Sequence, residues 1–291
     1  MALREMSVTS TPLVDAGMRL RRMRTITVDI WLPVAVLVVV VFFCFFGPQV
    51  LGLSNPNADP LTNSMVSPFT AGHFFGTDQL GNDMLSRVLY GGRVSLEVGV
   101  GSVALGFLIG GSLGVVGGYV GGKTEGVIMR LLDVLLSFPS IVLALVVATY
   151  LGPTEYNEII AIAFFTVPAL ARLARANTLR LKELGFVSSS ELAGGSRLKT
   201  VFSHVVPNVV PPLLTFGFLN VSGAMLIDAA LSYLGAGVRP PTPTWGNMIA
   251  SNETYLAGSP WLVFEPALAL LITVLALNLL GDALRSRIEA R

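Results

Sequence analysis

The ionisable residues that lie within or beside apolar stretches are the place to look for chemistry. Four acids do so: Glu97, Asp133, Asp228 and Asp282. A charge inside a membrane segment is costly and faces a cavity or a partner. Glu97, Asp133 and Asp282 lie close enough to segment ends to reach water or an arginine. Arg130 precedes Asp133 by three residues and Arg285 follows Asp282 by three, a spacing that lets each pair meet on one helix face. Asp228 lies toward the far end of its segment, in MLIDAALSYLG. Two readings stand for it: a structural hydrogen bond within a helix bundle, or a pathway-lining or gating role. An intramembrane aspartyl protease needs two acids at matching depth, and Asp133 and Asp228 sit toward opposite ends. His73 has Asp78 and Asp83 near it, but one imidazole makes a poor zinc site. Cys44 is the single cysteine and lies in an apolar run, so it reads as a small apolar residue facing lipid or protein.

Enzyme motifs are missing. The sequence has no G-x-x-x-x-G-K-[ST] phosphate loop, no G-x-S-x-G elbow and no H-E-x-x-H pair. His73 and His204 fall on opposite sides of the membrane in the topology below and cannot share a site. No catalytic residue, cofactor site or metal site is expected in this chain.

The most informative polar stretch is 186–208, FVSSSELAGGSRLKTVFSHVVPN. Leu198, Val201, Phe202, Val205 and Val206 form one apolar stripe at helical spacing, with Arg197, Lys199, Ser203 and His204 on the other side. Pro207 is expected to end that helix. Ser188 and Glu191 have the spacing of a capping box, and Gly194-Gly195 offers a break between a short first helix and a longer second one. The stretch predicts a bent helical finger held at a membrane surface.

The elements that must carry these residues are membrane helices. The chain of 291 residues is 53% hydrophobic and only 13% charged, against roughly 25% charged in soluble domains. Apolar segments predict six spans at about 30–50, 94–120, 131–151, 159–176, 209–234 and 261–281, with a polar tail over 1–26 and a membrane domain over 27–291. The first run follows a basic segment, but it is long and no small-residue cleavage site follows it, so it reads as a retained helix. Leu80, Met84, Leu85, Val88 and Leu89 predict a short helix along the membrane face before the second span. Gly106, Gly110, Gly114 and Gly118 form a small-residue track in that span, suited to close helix packing within this subunit or against a partner. Residues 151–158, with Glu155 and Glu158, read as a short acidic loop. The loop 177–208 contains the finger.

Basic residues orient the spans. Sixteen of the 19 lysines and arginines fall in the two tails, the second-to-third loop and the finger with its flanks; Arg87, Arg93 and Arg239 fall on the other side. The positive-inside rule therefore predicts both termini and the finger in the cytoplasm.

Five ordered blocks resemble the C-type permease subunits of oligopeptide and dipeptide ATP-binding-cassette importers. They are HFFGTDQLGNDMLSRVLYGGRVSL (73–96), GGYVGGKTEGVIMRLLDVLLSFPSIVLA (117–144), the finger, LSYLGAGVRPPTPTWGNMI (231–249) and NLLGDALR (278–285). The sequence departs from the family in two places. Asn82 stands where a basic residue is common, and Ser188, Ser189 and Ser190 stand where an acid and two alanines are usual. The segment around Asp228 is similar to a family segment with an acid at that point.

The resemblance implies an all-α polytopic protein of the type I importer permease fold, with six transmembrane helices and a cytoplasmic coupling helix. The coupling residues it implies are Ser188, Ser189, Ser190, Glu191, Gly194, Arg197, Phe202 and Pro207. It also implies a homologous second permease, two ATP-binding-cassette domains that hold ATP and Mg, an extracytoplasmic peptide-binding protein and a lipid bilayer as partners, with no nucleic acid. The expected location is the bacterial inner membrane. A permease for nickel or another small solute in the same family is the alternative. A secondary transporter would explain six spans but not an amphipathic cytoplasmic finger.

Overall fold

The computed structural model describes residues 12–53, 55–57, 63–70, 72–185 and 196–289, with side chains placed between 30 and 287. The described residues are largely helical, and their only β features are isolated bridges, Thr70 with His73 and Thr77 with Asp83. Helix α1 is Pro12–Val50, α2 Met84–Leu105, α3 Gly111–Val120, α4 Gly122–Leu136, α5 Ser140–Leu151 and α6 Glu155–Lys182. Then come α7 Arg197–Thr200, α8 Val206–Tyr233, α9 Trp245–Asn252 and α10 Trp261–Glu289. A π turn, Gly106–Gly110, joins α2 to α3, and another, Val201–Val205, joins α7 to α8.

Among the described residues, five helical rods are long and apolar enough to cross a membrane: Ile30–Val50, Met84–Val120, Glu155–Lys182, Arg197–Tyr233 and Trp261–Arg287. A sixth crossing exists if α4 and α5 count as one span, but they meet at 88°. The expected span over 131–151 falls on this bent pair. Pro139 is the physical reason for the bend: it holds an extended backbone, with φ −55° and ψ 131°, at the start of α5, and it has no N–H to continue the α4 ladder. Alone, the 12 residues of α5 reach only about 18 Å, short of the ~30 Å hydrocarbon core.

Other boundaries also move. The second span starts at Met84, not 94, because Asp83 caps α2 by accepting the Ser86 N–H at 2.8 Å and no break follows. The expected surface helix is thus the first turns of that rod, with Met84, Val88 and Leu89 buried. The chain from residue 12 is helix continuous with the first span. The acidic loop ends earlier than expected: Thr154 caps α6, so Glu155 and Glu158 belong to its first turn.

Rod α2–α3 packs along α6 through its glycine face. A Cβ on Gly110 would run into the Val167 carbonyl oxygen, and one on Gly114 into that of Ala171. At Gly118 it would lie 2.9 Å from Thr178 Cβ. Thr166 Oγ1 donates to Ser102 O at 2.9 Å, and Lys182 Nζ donates to Tyr119 O at 2.8 Å, which pins the rod to α6 along its length. The small-residue track is therefore an internal contact. Helix α8 packs on α2, α6 and α10, and α1 closes the bundle against α2 and α10.

Gly114→Val is expected to destabilise the purified protein by about 1–3 kcal/mol or more, because backbone cannot yield as a flexible side chain does. Gly126→Ala, where an added Cβ meets nothing within 4 Å, is expected to be neutral. Thermal unfolding in detergent checks both.

Candidate functional site

Two regions carry polar features that packing alone does not require. The first is the end of the bundle that holds residues 63–83, 152–154 and 234–260. Asp78 organises the loop there. Its carboxylate accepts the Leu80 N–H at 2.8 Å, the Asn82 N–H at 2.9 Å and the Asn82 amide at 2.9 Å. Arg87 Nε lies 3.4 Å from it and Arg87 Nη1 donates to Asn57 Oδ1 at 2.9 Å. Asn82 thus binds Asp78 through a neutral amide. His73 Nδ1 meets Asp83 Oδ1 at 2.9 Å, and no described group of three His, Cys, Asp or Glu residues can hold a metal.

Helix α9 plugs this end. Thr244 and Asn247 form a reciprocal capping box, each accepting the other's backbone N–H at 3.0 Å. The Asn247 amide donates to Val238 O at 3.0 Å and Thr242 O at 2.8 Å, so one side chain fixes the proline-rich loop on the helix. Trp245 is 1% exposed and donates from Nε1 to Val88 O at 2.8 Å. Gly92 makes room for its ring, and Cys44 Sγ lies on the same spot. Cys44 therefore faces protein.

Beneath the plug lie two acids. Glu158 on α6 is 2% exposed and Asp228 on α8 is 1% exposed. The two carboxyl groups are direct neighbours, with the Ser95 hydroxyl of α2 beside Asp228. Glu158 Oε2 accepts the Val238 N–H at 2.9 Å. Ser95 Oγ accepts the Trp245 N–H at 3.2 Å. Asp228, read from sequence as a bundle hydrogen bond or a gate, is enclosed by this chain's own helices. Glu158, read as a loop acid, was missed. The signal was its register: Ala161 and Ile162, three and four residues on, are fully buried, so Glu158 shares their inward face.

The second region is the basic end. Residues 186–195 are outside the described set, and with them Ser188, Ser189, Ser190, Glu191 and Gly194. Of the expected coupling residues, Arg197, Phe202 and Pro207 are described. Pro207 does not end a helix. It falls in the first turn of α8, directly after the π turn, and the helical rod runs on from Arg197 to Tyr233. The π turn alters the carbonyl pairing just before the proline, so the missing N–H costs little there. The apolar stripe also divides: Val205 is buried, whereas Leu198 is 73% and Phe202 69% exposed. Both exposed residues border a groove of about 350 Å³ whose wall includes Tyr119, Lys182 and Arg197. Nearby, Arg172 binds Asp133 at 2.6 Å and Arg175 Nε binds Glu125 at 2.6 Å, tying α4 to α6. Asp133 therefore pairs across helices, not with Arg130. Glu97 pairs with Arg93 at 2.9 Å.

The carboxy-terminal part of the chain, residues 106–291, matches the model of the binding-protein-dependent transport system inner membrane component family. The chain belongs to this family. It is 42% identical over 216 residues to the di/tripeptide transport system permease protein DppC of Pseudomonas aeruginosa, covering 74% of this chain and 71% of that one. It is 39% identical over 222 residues to the glutathione transport system permease protein GsiD of Pectobacterium atrosepticum, covering 76% and 74%. With the probable D,D-dipeptide transport system permease protein DdpC of Escherichia coli K12 it shares 35% over 256 residues, covering 88% and 85%. Its fold matches a chain of the MetNI methionine ABC transporter, solved in inward-facing conformations, with a TM-score of 0.58 at 18% identity over 70% of this chain and 97% of that one. The type I importer permease fold is thus the fold of this chain, and it is a multi-pass inner membrane transport component.

Asn247→Ala removes the capping partner and leaves two loop carbonyls without donors. It is expected to cost about 1–3 kcal/mol and to raise the labelling rate of a cysteine placed at Thr242. An unchanged rate would show that other contacts hold the loop.

Proposed function

We propose that this chain is a permease subunit of an ATP-driven, binding-protein-dependent importer of dipeptides or oligopeptides, and that it forms half of the translocation pathway. The carrying observation is the identity of 35–42% over most of the chain with permeases named for di/tripeptides, glutathione and D,D-dipeptides. Nickel, or a solute-driven secondary transporter, is not favoured by those relatives. Deletion of the chain is expected to abolish uptake of toxic dipeptides and growth on peptides as a nutrient. Normal peptide uptake with a nickel-dependent growth defect would overturn the solute assignment.

The partners on this reading are a second permease, two ATP-binding-cassette domains with their ATP and Mg, and an extracytoplasmic peptide-binding protein. The finger faces the cytoplasm, as the basic residues of the tails and finger require under the positive-inside rule, and the Asp78 and Trp245 end faces outward. The physical support for docking lies in Leu198 and Phe202. Large apolar side chains exposed beside the headgroup region need a cover, and they flank the segment that carries Ser188, Glu191 and Gly194.

The double variant Leu198→Ser/Phe202→Ser is expected to insert and fold like the parent, because both side chains are exposed. It should retain the ATPase subunits roughly tenfold more weakly or worse on co-purification. A cysteine at Ser188 should be reached by impermeant reagent only after cells are opened, and one at Thr242 in intact cells. Undiminished ATPase retention would remove the finger from the interface; labelling of Ser188 in intact cells would invert the topology.

A further inference from the structure

We propose that Glu158 and Asp228 form a buried proton site, one proton held between the two carboxyl groups, that locks α6, α8 and the outer loop together. Both side chains are enclosed by the chain itself, at 2% and 1% exposure. Each has one buried oxygen, Glu158 Oε1 and Asp228 Oδ1, with no hydrogen-bond partner, although the two carboxyls are neighbours. Ionised carboxylates only accept hydrogen bonds. Two of them in contact have nothing to share, and their charges repel strongly where water is excluded. A single proton removes both difficulties. It makes one group a donor and the other a charged acceptor, which gives the stronger class of hydrogen bond.

The surroundings suit one remaining negative charge and no more. Glu158 Oε2 takes the Val238 N–H at 2.9 Å. Ser95 already accepts the Trp245 N–H at 3.2 Å, so its own hydroxyl hydrogen is left to point at Asp228. No described arginine, lysine or histidine pairs with either acid; the ion pairs of this chain lie elsewhere. A further acid, Glu155, acts on Glu158 from one turn toward the outside, beside Glu97 and Arg93. A proton bridge therefore joins α6 to α8, and through Val238 and Trp245 it reaches the loop and plug.

The test uses the assembled complex in detergent or nanodiscs. Glu158→Gln replaces the acid and its proton with a neutral amide that still donates to Asp228 and still accepts from Val238. It is expected to assemble, to keep its half-life at elevated temperature within about twofold, and to transport peptide. Glu158→Ala leaves the Val238 N–H without its acceptor and Asp228 with the Ser95 hydroxyl alone, and should shorten that half-life roughly tenfold or more. In infrared difference spectra against Glu158→Gln, the parent should show the carbonyl stretch of a buried protonated carboxyl, insensitive to sodium and potassium. Absence of that band, or its persistence in both Glu158→Gln and Asp228→Asn, overturns the proposal. So does stability of the parent that rises with sodium or potassium and loses that dependence in Glu158→Gln, which would make the ligand a metal cation.

Discussion

The fold depends on how closely the α2–α3 rod approaches α6. With lipid outside, helices gain little from the hydrophobic effect and associate through close packing and interhelical hydrogen bonds. Glycines at 110, 114 and 118 let the rod reach the α6 backbone, and Gly106 leaves room for the side chains of Thr166 and Leu170. That closeness brings Ser102 O to Thr166 and Tyr119 O to Lys182. It also sets Ser95, higher on the same rod, against α8 and the plug.

Once α6 is fixed, its two ends take opposite electrostatic roles. Its first turns carry Glu155 and Glu158 and its last turns Arg180 and Lys182. Both placements agree with the helix macrodipole. The basic end stays half in water, where Arg172 and Arg175 reach across to the acids of α4. Such exposed pairs contribute little stability, so they serve chiefly to orient α4. The acidic end is buried and interacts with the chain's own loop. A charge hidden under packed helices requires a specific partner, whereas one at the surface can turn to water.

Much of this was legible in the sequence because long apolar runs, glycine periodicity and charge asymmetry are additive signals. The five long apolar rods and the glycine contact follow from them. The misread places are those where one residue's backbone chemistry overrode a composition average. Pro139 bends an apolar stretch into a near right-angle pair, and the hydropathy of that stretch does not mark where it bends. Pro207 was read as a stop because prolines usually stop helices; the π turn ahead of it relieves the clash, and a π turn has no composition signature. Glu158 was read as a loop acid because the span was counted from the apolar run at Ile159, whereas the helix begins at Glu155. The partner of Asp228 lies 70 positions away, and no local spacing rule reaches that far.

The π turn at Val201–Val205 has a consequence for how the two regions communicate. Helical structure continues through it, so Arg197–Tyr233 is one rod of 37 residues, about 55 Å long. One end bears the exposed Leu198 and Phe202, and the other bears Asp228 and leads into the loop that Asn247 and Glu158 hold. A straight helix carries displacement along its axis with little loss, whereas a loop in its place would absorb it. π turns and helix-embedded prolines are also where helices bend. The rod thus has a compliant joint near the finger and a rigid stretch above it. Above that joint α8 is held first by the Ser222 hydroxyl on Asn278 of α10, at 2.9 Å, and farther up by Asp228 beside Glu158 of α6. On the proposed reading, the proton shared by Glu158 and Asp228 ties the upper end of this rod to α6 and, through the Val238 N–H, to the outer loop, so a motion that separates α8 from α6 at that level must break a buried hydrogen bond.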